Sequence, residues 1–328
     1  MCCGASAGFC AISGAAEPGR PPPVPQAGLT EAPARFHQRV MRGLLRFAPL
    51  LAAFLLAVPR PAGAQAVDRY FMTTDAVRLH YLDAGAPGAL TIVLVPGWTM
   101  PAWIFRPQIA AFSRRWHVVA FDPRGQGESD VPRTGYEPLR RGQDIADLLA
   151  RLGGGRVVLL GWSLGVLDAL AYVHEHGDGR LAGLVLVDNS VGEEPAPAPH
   201  HFYRRRGPPV PHDLAMRRFV ASMFRTPQPD AYLASLTAAT LRTPEYAARA
   251  LLSYPVPRTY WRDAVYMVHE PVLYVVRPGF AAQAGNLARK DPYAETAVFA
   301  DAGHALFIDD AARFNALVET FVTRRIER

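Results

Sequence analysis

From about Tyr70 onward, short apolar runs alternate with longer stretches of helical spacing. That rhythm predicts a mostly parallel sheet covered by helices. Val77–Asp83 alternates apolar and polar residues over most of its length, as a half-exposed strand does. Thr91–Val95, His117–Phe121, Arg156–Leu160, Leu184–Val187 and Val272–Val276 are nearly continuous apolar runs, as buried parallel strands are. Ala297–Ala300 is a weaker final case. Between them, Ile145–Leu152, Val166–Val173 and Ala311–Val322 show helical spacing. Residues 192–265 interrupt the rhythm, beginning with Pro195, Pro197 and Pro199 and continuing through arginine-rich and aromatic helix-like segments. We read them as a helical cap inserted after a sheet strand. No repeat of solenoid or propeller period is present.

The N-terminal region has a different pattern. From Met41 a basic stretch, Met-Arg-Gly-Leu-Leu-Arg, precedes an apolar run from Phe47 to Val58, and Ala62-Gly63-Ala64 and Ala64-Gln65-Ala66 follow. These are the three parts of a secretory signal peptide, so the expected mature chain starts at Gln65 or Val67. The apolar run is too short to span a bilayer, so no stable membrane span is expected after cleavage. Residues 1–40 would make an oddly long leader, and we read them as a non-native or disordered extension before a start at Met41. The expected organisation is therefore an extension (1–40), a signal peptide (41–64), a first core segment (65–191), a cap (192–265) and a second core segment (266–328). The expected location is periplasmic or secreted.

Charge supports this division. The chain of 328 residues is half hydrophobic and one-fifth charged, with a formal charge of +6. Residues 1–64 hold six arginines against two glutamates, so +4 belongs to that region and +2 to the rest. A body of that size with +2 implies no nucleic-acid partner. All three cysteines, Cys2, Cys3 and Cys10, precede residue 11, which excludes a disulfide framework or a Cys-based zinc site from the body.

The chemistry is concentrated at a few motifs. Gly161-Trp162-Ser163-Leu164-Gly165 lies between a buried strand and a helix, the setting of a nucleophile elbow with Ser163 at its apex. A serine needs a base, and His304 follows the last strand in Asp301-Ala302-Gly303-His304. The oxyanion hole needs one amide after the nucleophile, which is Leu164, and one in a turn after an early strand. Val95-Pro96-Gly97-Trp98 provides that turn, with the Trp98 N–H as donor. The histidines His200, His201 and His212 have no metal-site spacing, and no dinucleotide or P-loop pattern appears, so neither metal nor cofactor is expected.

Over residues 70–325 the chain resembles the α/β-hydrolase superfamily. The resemblance rests on Pro96-Gly97-Trp98, the segment from Phe121 to Ser129, the elbow, and Asp301-Ala302-Gly303-His304. It looks like the branch holding small esterases, cofactor-free haloperoxidases and C–C bond hydrolases. The fold implied is an eight-stranded, mostly parallel sheet with helices on both faces and a lid. The chain departs at Pro96, where that branch usually has His. Ser129 reads as part of a structural turn under the site.

The resemblance also implies a triad acid after the strand preceding the histidine strand. Here that segment, Val275 to Gln283, contains no carboxylate. Asp291 falls before the final strand, at the wrong end of the sheet. Some members carry the acid after the strand that follows the nucleophile helix, and Asp188 occupies that place, with Glu193 and Glu194 as alternatives on the same loop. The cap offers Phe202, Tyr203, Phe219, Met223, Phe224, Tyr232, Tyr260 and Trp261 as possible pocket lining, and Arg204-Arg205-Arg206 and Arg217-Arg218 as a possible carboxylate selector. The expected activity is hydrolysis of a small or medium carboxylic ester through an acyl-enzyme. C–C hydrolysis or haloperoxidase-type perhydrolysis is the alternative among enzymes, and a catalytically silent binding protein the alternative of another class.

Overall fold

The computed structural model describes residues 65–88, 90–197 and 210–327. Among them eight strands form one sheet: β1 (Val67–Met72), β2 (Arg78–Ala84), β3 (Leu90–Val95), β4 (His117–Asp122), β5 (Arg156–Trp162), β6 (Leu181–Val187), β7 (Val272–Val276) and β8 (Ala294–Val298). Their order across the sheet is β1-β2-β4-β3-β5-β6-β7-β8. The β1–β2 and β2–β4 pairs are antiparallel, and every later pair is parallel.

The apolar runs become central strands because both of their faces are covered. Val93, Val95, Val157 and Leu159 point into one core layer, under α2 (Pro138–Leu152) and α3 (Leu164–His176). Ile92, Leu94, Val158 and Leu160 point into the other. That second layer lies under α1 (Arg106–Phe112) and α10 (Ala311–Arg325).

Two strands differ from the sequence reading, both at sheet edges. β1 buries only Phe71, its other five residues being exposed, and it exists through pairing with β2. The last strand is Ala294–Val298 rather than Ala297–Ala300. Phe299, the next residue, extends the ladder by one bond from its amide to the Val276 carbonyl at 2.8 Å, and is buried beneath the Arg313 guanidinium and the Phe314 ring.

Between β6 and β7 lie α4 (His212–Ser222), α5 (Asp230–Leu241), α6 (Glu245–Ala250) and α7 (Arg258–Tyr266). α4 and α5 pack on one another, whereas α7 runs along α3 and joins its core layer through Tyr260, Trp261, Ala264 and Val265. After β7 come α8 (Ala281–Lys290) and, beyond β8, the single turn α9 (Leu306–Asp309). The extension and leader read at residues 1–64, and the cap residues His200, His201, Phe202, Tyr203, Arg204, Arg205 and Arg206, lie outside the described residues.

The segment from Asp122 to Ser129 serves the fold. Asp122 accepts hydrogen bonds from His80 Nδ1 (2.7 Å) and from the amides of Ala102 (2.5 Å) and Glu128 (2.9 Å). Ser129 Oγ donates to the Asp122 carbonyl at 2.5 Å, which places it in the turn and away from Ser163. Arg124 is fully buried and pairs through two donors with Asp144, both at 2.6 Å, and through two more with Asp75, both at 3.0 Å. Arg124→Met should therefore leave Asp144 buried with less compensation and lower unfolding free energy by about 3 kcal/mol, read from urea denaturation.

Candidate active site

The turn at the C-terminal end of β5 is the tightest in the site. A Cβ on Gly161 would overlap the Gly165 carbonyl, and one on Gly165 would overlap the Val95 carbonyl of the neighbouring strand. With both positions bare, the chain reverses between β5 and α3 and leaves Ser163 at φ 55° and ψ −118°. A non-glycine residue there stores strain of about 1–3 kcal/mol, held by the buried elements on either side. The Ser163 amide continues the ladder to the Val187 carbonyl at 2.9 Å, and the Asn189 side chain donates to the Ser163 carbonyl at 2.8 Å.

Asp188 leaves β6 in the same way, one strand over, with φ 53° and its amide on the Val275 carbonyl at 2.9 Å. Its carboxylate is buried and accepts from His304 Nδ1 at 2.6 Å. His304 Nε2 in turn accepts from Ser163 Oγ at 2.8 Å. The three residues selected from sequence are thus joined in one hydrogen-bonded chain, with the imidazole tautomer fixed by the carboxylate. Burial alone would raise the Asp188 carboxyl, but the His304 hydrogen bond and charge, with those of Arg277, hold it below the usual carboxylate value.

The other acids lie elsewhere. Glu193 is buried against Lys290 at 2.8 Å and the Tyr266 hydroxyl. Glu194 faces Arg258, and Asp291 accepts from the Tyr293 amide at the foot of β8. None touches His304.

The turn after β3 stands beside the elbow, since a Cβ on Gly97 would lie 3.0 Å from that of Ser163. Gln126 braces this turn, accepting from the Thr99 amide at 2.6 Å and donating to the Gly97 carbonyl at 3.2 Å. The Trp98 and Leu164 amides donate to no protein group among the described residues. The Leu164 amide also opens α3, so the positive end of the helix lies at the same point. Pro96, having no N–H, alters neither donor.

Several positioning contacts were not legible in the motifs. Trp162 Nε1 donates to the His304 carbonyl at 2.9 Å and its ring lies 5.2 Å from the imidazole. Asp309 accepts from the Gly303 amide (2.6 Å), the Arg225 amide (2.8 Å) and the Thr226 hydroxyl (2.5 Å), tying the histidine loop to the segment after α4. A carboxylate five residues beyond the histidine was the available signal. Trp98 Nε1 donates to the Ala248 carbonyl at 2.7 Å, and its ring meets Phe219 edge-on. Of the expected lining residues, Tyr232 packs against Trp103 and Phe224, while Tyr260 stacks on His174.

A separate cavity of about 600 Å³ is lined by Asp68, His80, Trp103, Arg106 and Arg242, among others, and by none of Ser163, Asp188 and His304. Its buried acid, Asp122, is already saturated by the bonds described above. Among the described residues no group of three His, Cys, Asp or Glu side chains is placed to hold a metal ion, and no helix is long and apolar enough to cross a membrane.

A largely parallel sheet with a strained serine, a histidine and an aspartate joined at its C-terminal edge defines a hydrolase architecture. Residues 92–317 match the profile of the alpha/beta hydrolase family, and the chain belongs to that family. It is similar to a soluble epoxide hydrolase from a Corynebacterium species, 26% identical over 165 residues covering 45% of this chain and 57% of that protein. It is also similar to a non-heme chloroperoxidase from Streptomyces lividans, 34% identical over 116 residues covering 35% and 42%. The chain therefore spans about half the length of the curated relatives it matches. An esterase from a Rhodococcus species shares the fold, with a TM-score of 0.66 at 23% identity over 79% of this chain and 99% of that one.

The Glu193 contacts have a pH signature. Burial pushes its carboxyl up, but Lys290, Tyr266 and the Glu194 amide overcome this and bring it from 4.5 down to about 2. A carboxyl lowered in the folded state contributes stability that is complete above its unfolded value and is lost as pH falls towards its folded value. Glu193→Gln should thus cost about 2 kcal/mol near neutral pH, with the difference from the parent protein shrinking as pH falls from 4.5 to about 2 in denaturation curves.

Proposed function

We propose that this protein is a serine hydrolase that cleaves a small or medium carboxylic ester through an acyl-enzyme. The observation that carries the reading is the continuous chain from Ser163 Oγ through His304 to the buried Asp188 carboxylate. Ser163 Oγ attacks the substrate carbonyl carbon while His304 Nε2 takes its proton. Asp188 stabilises the imidazolium that results. The Trp98 and Leu164 amides receive the negative oxygen of the tetrahedral intermediate. His304 then returns the proton to the departing alcohol, and water, deprotonated by the same imidazole, releases the acid. An alkyl-ester route requires a carboxylate nucleophile, and the elbow presents a hydroxyl instead. An ester needs no machinery beyond these residues.

Perhydrolysis is the second reading, favoured by the local similarity to a chloroperoxidase. It uses the same acyl-enzyme, with hydrogen peroxide replacing water in the second step.

A fluorophosphonate reports an activated serine without knowledge of the substrate. One equivalent should attach at Ser163 by peptide mapping, and none in Ser163→Ala. Failure of the folded protein to label would overturn the hydrolase reading in favour of a binding role. With labelling established, Asp188→Asn should lower ester turnover by about 10⁴-fold, the scale seen when a triad acid is neutralised. With an acetate ester as substrate in the presence of hydrogen peroxide, release of peracetic acid in preference to acetate would select perhydrolysis.

A further inference from the structure

We propose that Arg277 is a positioning residue of the triad, clamping Asp188 and setting the lower pH limit at which His304 works as a base. The inference rests on the serine-hydrolase reading. Arg277 is the first residue after β7, just as Asp188 is the first after β6, and the two strands are adjacent. Both residues therefore emerge at one level of the sheet edge. The segment that the superfamily resemblance would fill with the acid thus supplies a permanent cation to an acid that stands one strand away.

The clamp has two arms. The Arg277 amide donates to Asp188 Oδ1 at 3.0 Å, and its Nε donates to Oδ2 at 2.6 Å. Oδ2 is also the oxygen that receives His304 Nδ1, again at 2.6 Å. One carboxylate oxygen is therefore shared between a group that is always charged and one that becomes charged during turnover. Pro278 follows at once, and the Phe280 amide returns to the Arg277 carbonyl at 3.0 Å, so the backbone arm is held by local geometry. A side-chain substitution removes the charge and one bond while the amide still orients Asp188.

The other groups facing this carboxylate leave Arg277 as its fixed charge. His304 comes from the loop after β8 and Ser163 from the elbow. Tyr274 of β7 turns its hydroxyl to the Asn189 carbonyl at 2.7 Å. Glu193 and Lys290 satisfy each other farther along the loop. A cation on Asp188 offsets part of its negative charge, so the imidazolium formed in turnover draws less stabilisation from this carboxylate than it would from an unpaired one. The Arg277 side chain is 39% exposed, which places part of its charge in solvent and limits the effect.

The test is the pH dependence of fluorophosphonate labelling at Ser163 in the parent protein, Arg277→Met and Arg277→Lys. In the methionine variant the acidic limb should move up by roughly half to one pH unit, and in the lysine variant it should return most of the way. A methionine limb that coincides with the parent's would overturn the proposal, even if the plateau rate fell, because a purely structural clamp changes rate without moving the limb. Should the methionine variant not fold, Arg277→Gln carries the same expectation. If the parent protein does not label, the hydrolase reading fails by itself. NMR titration of the His304 imidazole in parent and variant then decides the clamp without turnover, an unmoved midpoint counting against it.

Discussion

The site depends on the reversal of the chain at Ser163. Its backbone occupies a region that side chains disfavour, and it does so because β5 is buried on both faces and α3 is packed on the sheet immediately afterwards. Two bare glycines permit the approach of α3 to β5 and β3. The strain is small beside the burial of the flanking elements, so the hydroxyl is presented by a rigid frame rather than by a loop. Every other member of the site is measured from that fixed point.

Parallel pairing explains why so few residues suffice. β3, β5, β6 and β7 all end at the same edge, so the turns that follow them share one surface. Gly97 and Trp98 reach the elbow from one side, Asp188 from the other, and Arg277 stands beyond Asp188. The hydrogen bonds of Ser163 to Val187 and of Asp188 to Val275 extend the ladder past the strands and fix the two residues relative to one another. The buried carboxylate is tolerable because its oxygens accept three donors, from His304, Arg277 Nε and the Arg277 amide.

The histidine has no strand of its own to hold it and is secured from outside. Trp162, within the elbow, grips its carbonyl, while Asp309 ties its loop to Arg225 and Thr226 after α4. The Ala305 amide adds a bond to the Met223 carbonyl at 2.9 Å. The helices between β6 and β7 therefore do more than border the site, since one end of α4 helps to place His304. Trp98 makes a second link to this region through Ala248 and Phe219.

The sequence by itself determined the central sheet and the elbow. Residues buried on both sides must be continuously apolar, and a serine between two obligatory glycines, after a strand and before a helix, has few other uses. His304 was legible for a similar reason, because its Gly-bearing turn follows the last strand. Edge elements were not, since β1 and the start of β8 are made by hydrogen bonds to a neighbour rather than by a hydrophobic pattern. Asp188 was chosen from its place after β6, but what separates it from Glu193 and Glu194 lies in tertiary structure. Three carboxylates within seven residues look alike along the chain, and only the register of β6 against β7 and the lysine on α8 decide which one meets the imidazole. Along the chain, the segment that holds Arg277 showed only that it lacks a carboxylate. In three dimensions Arg277 is the partner of Asp188, because strand order brings together residues 89 positions apart.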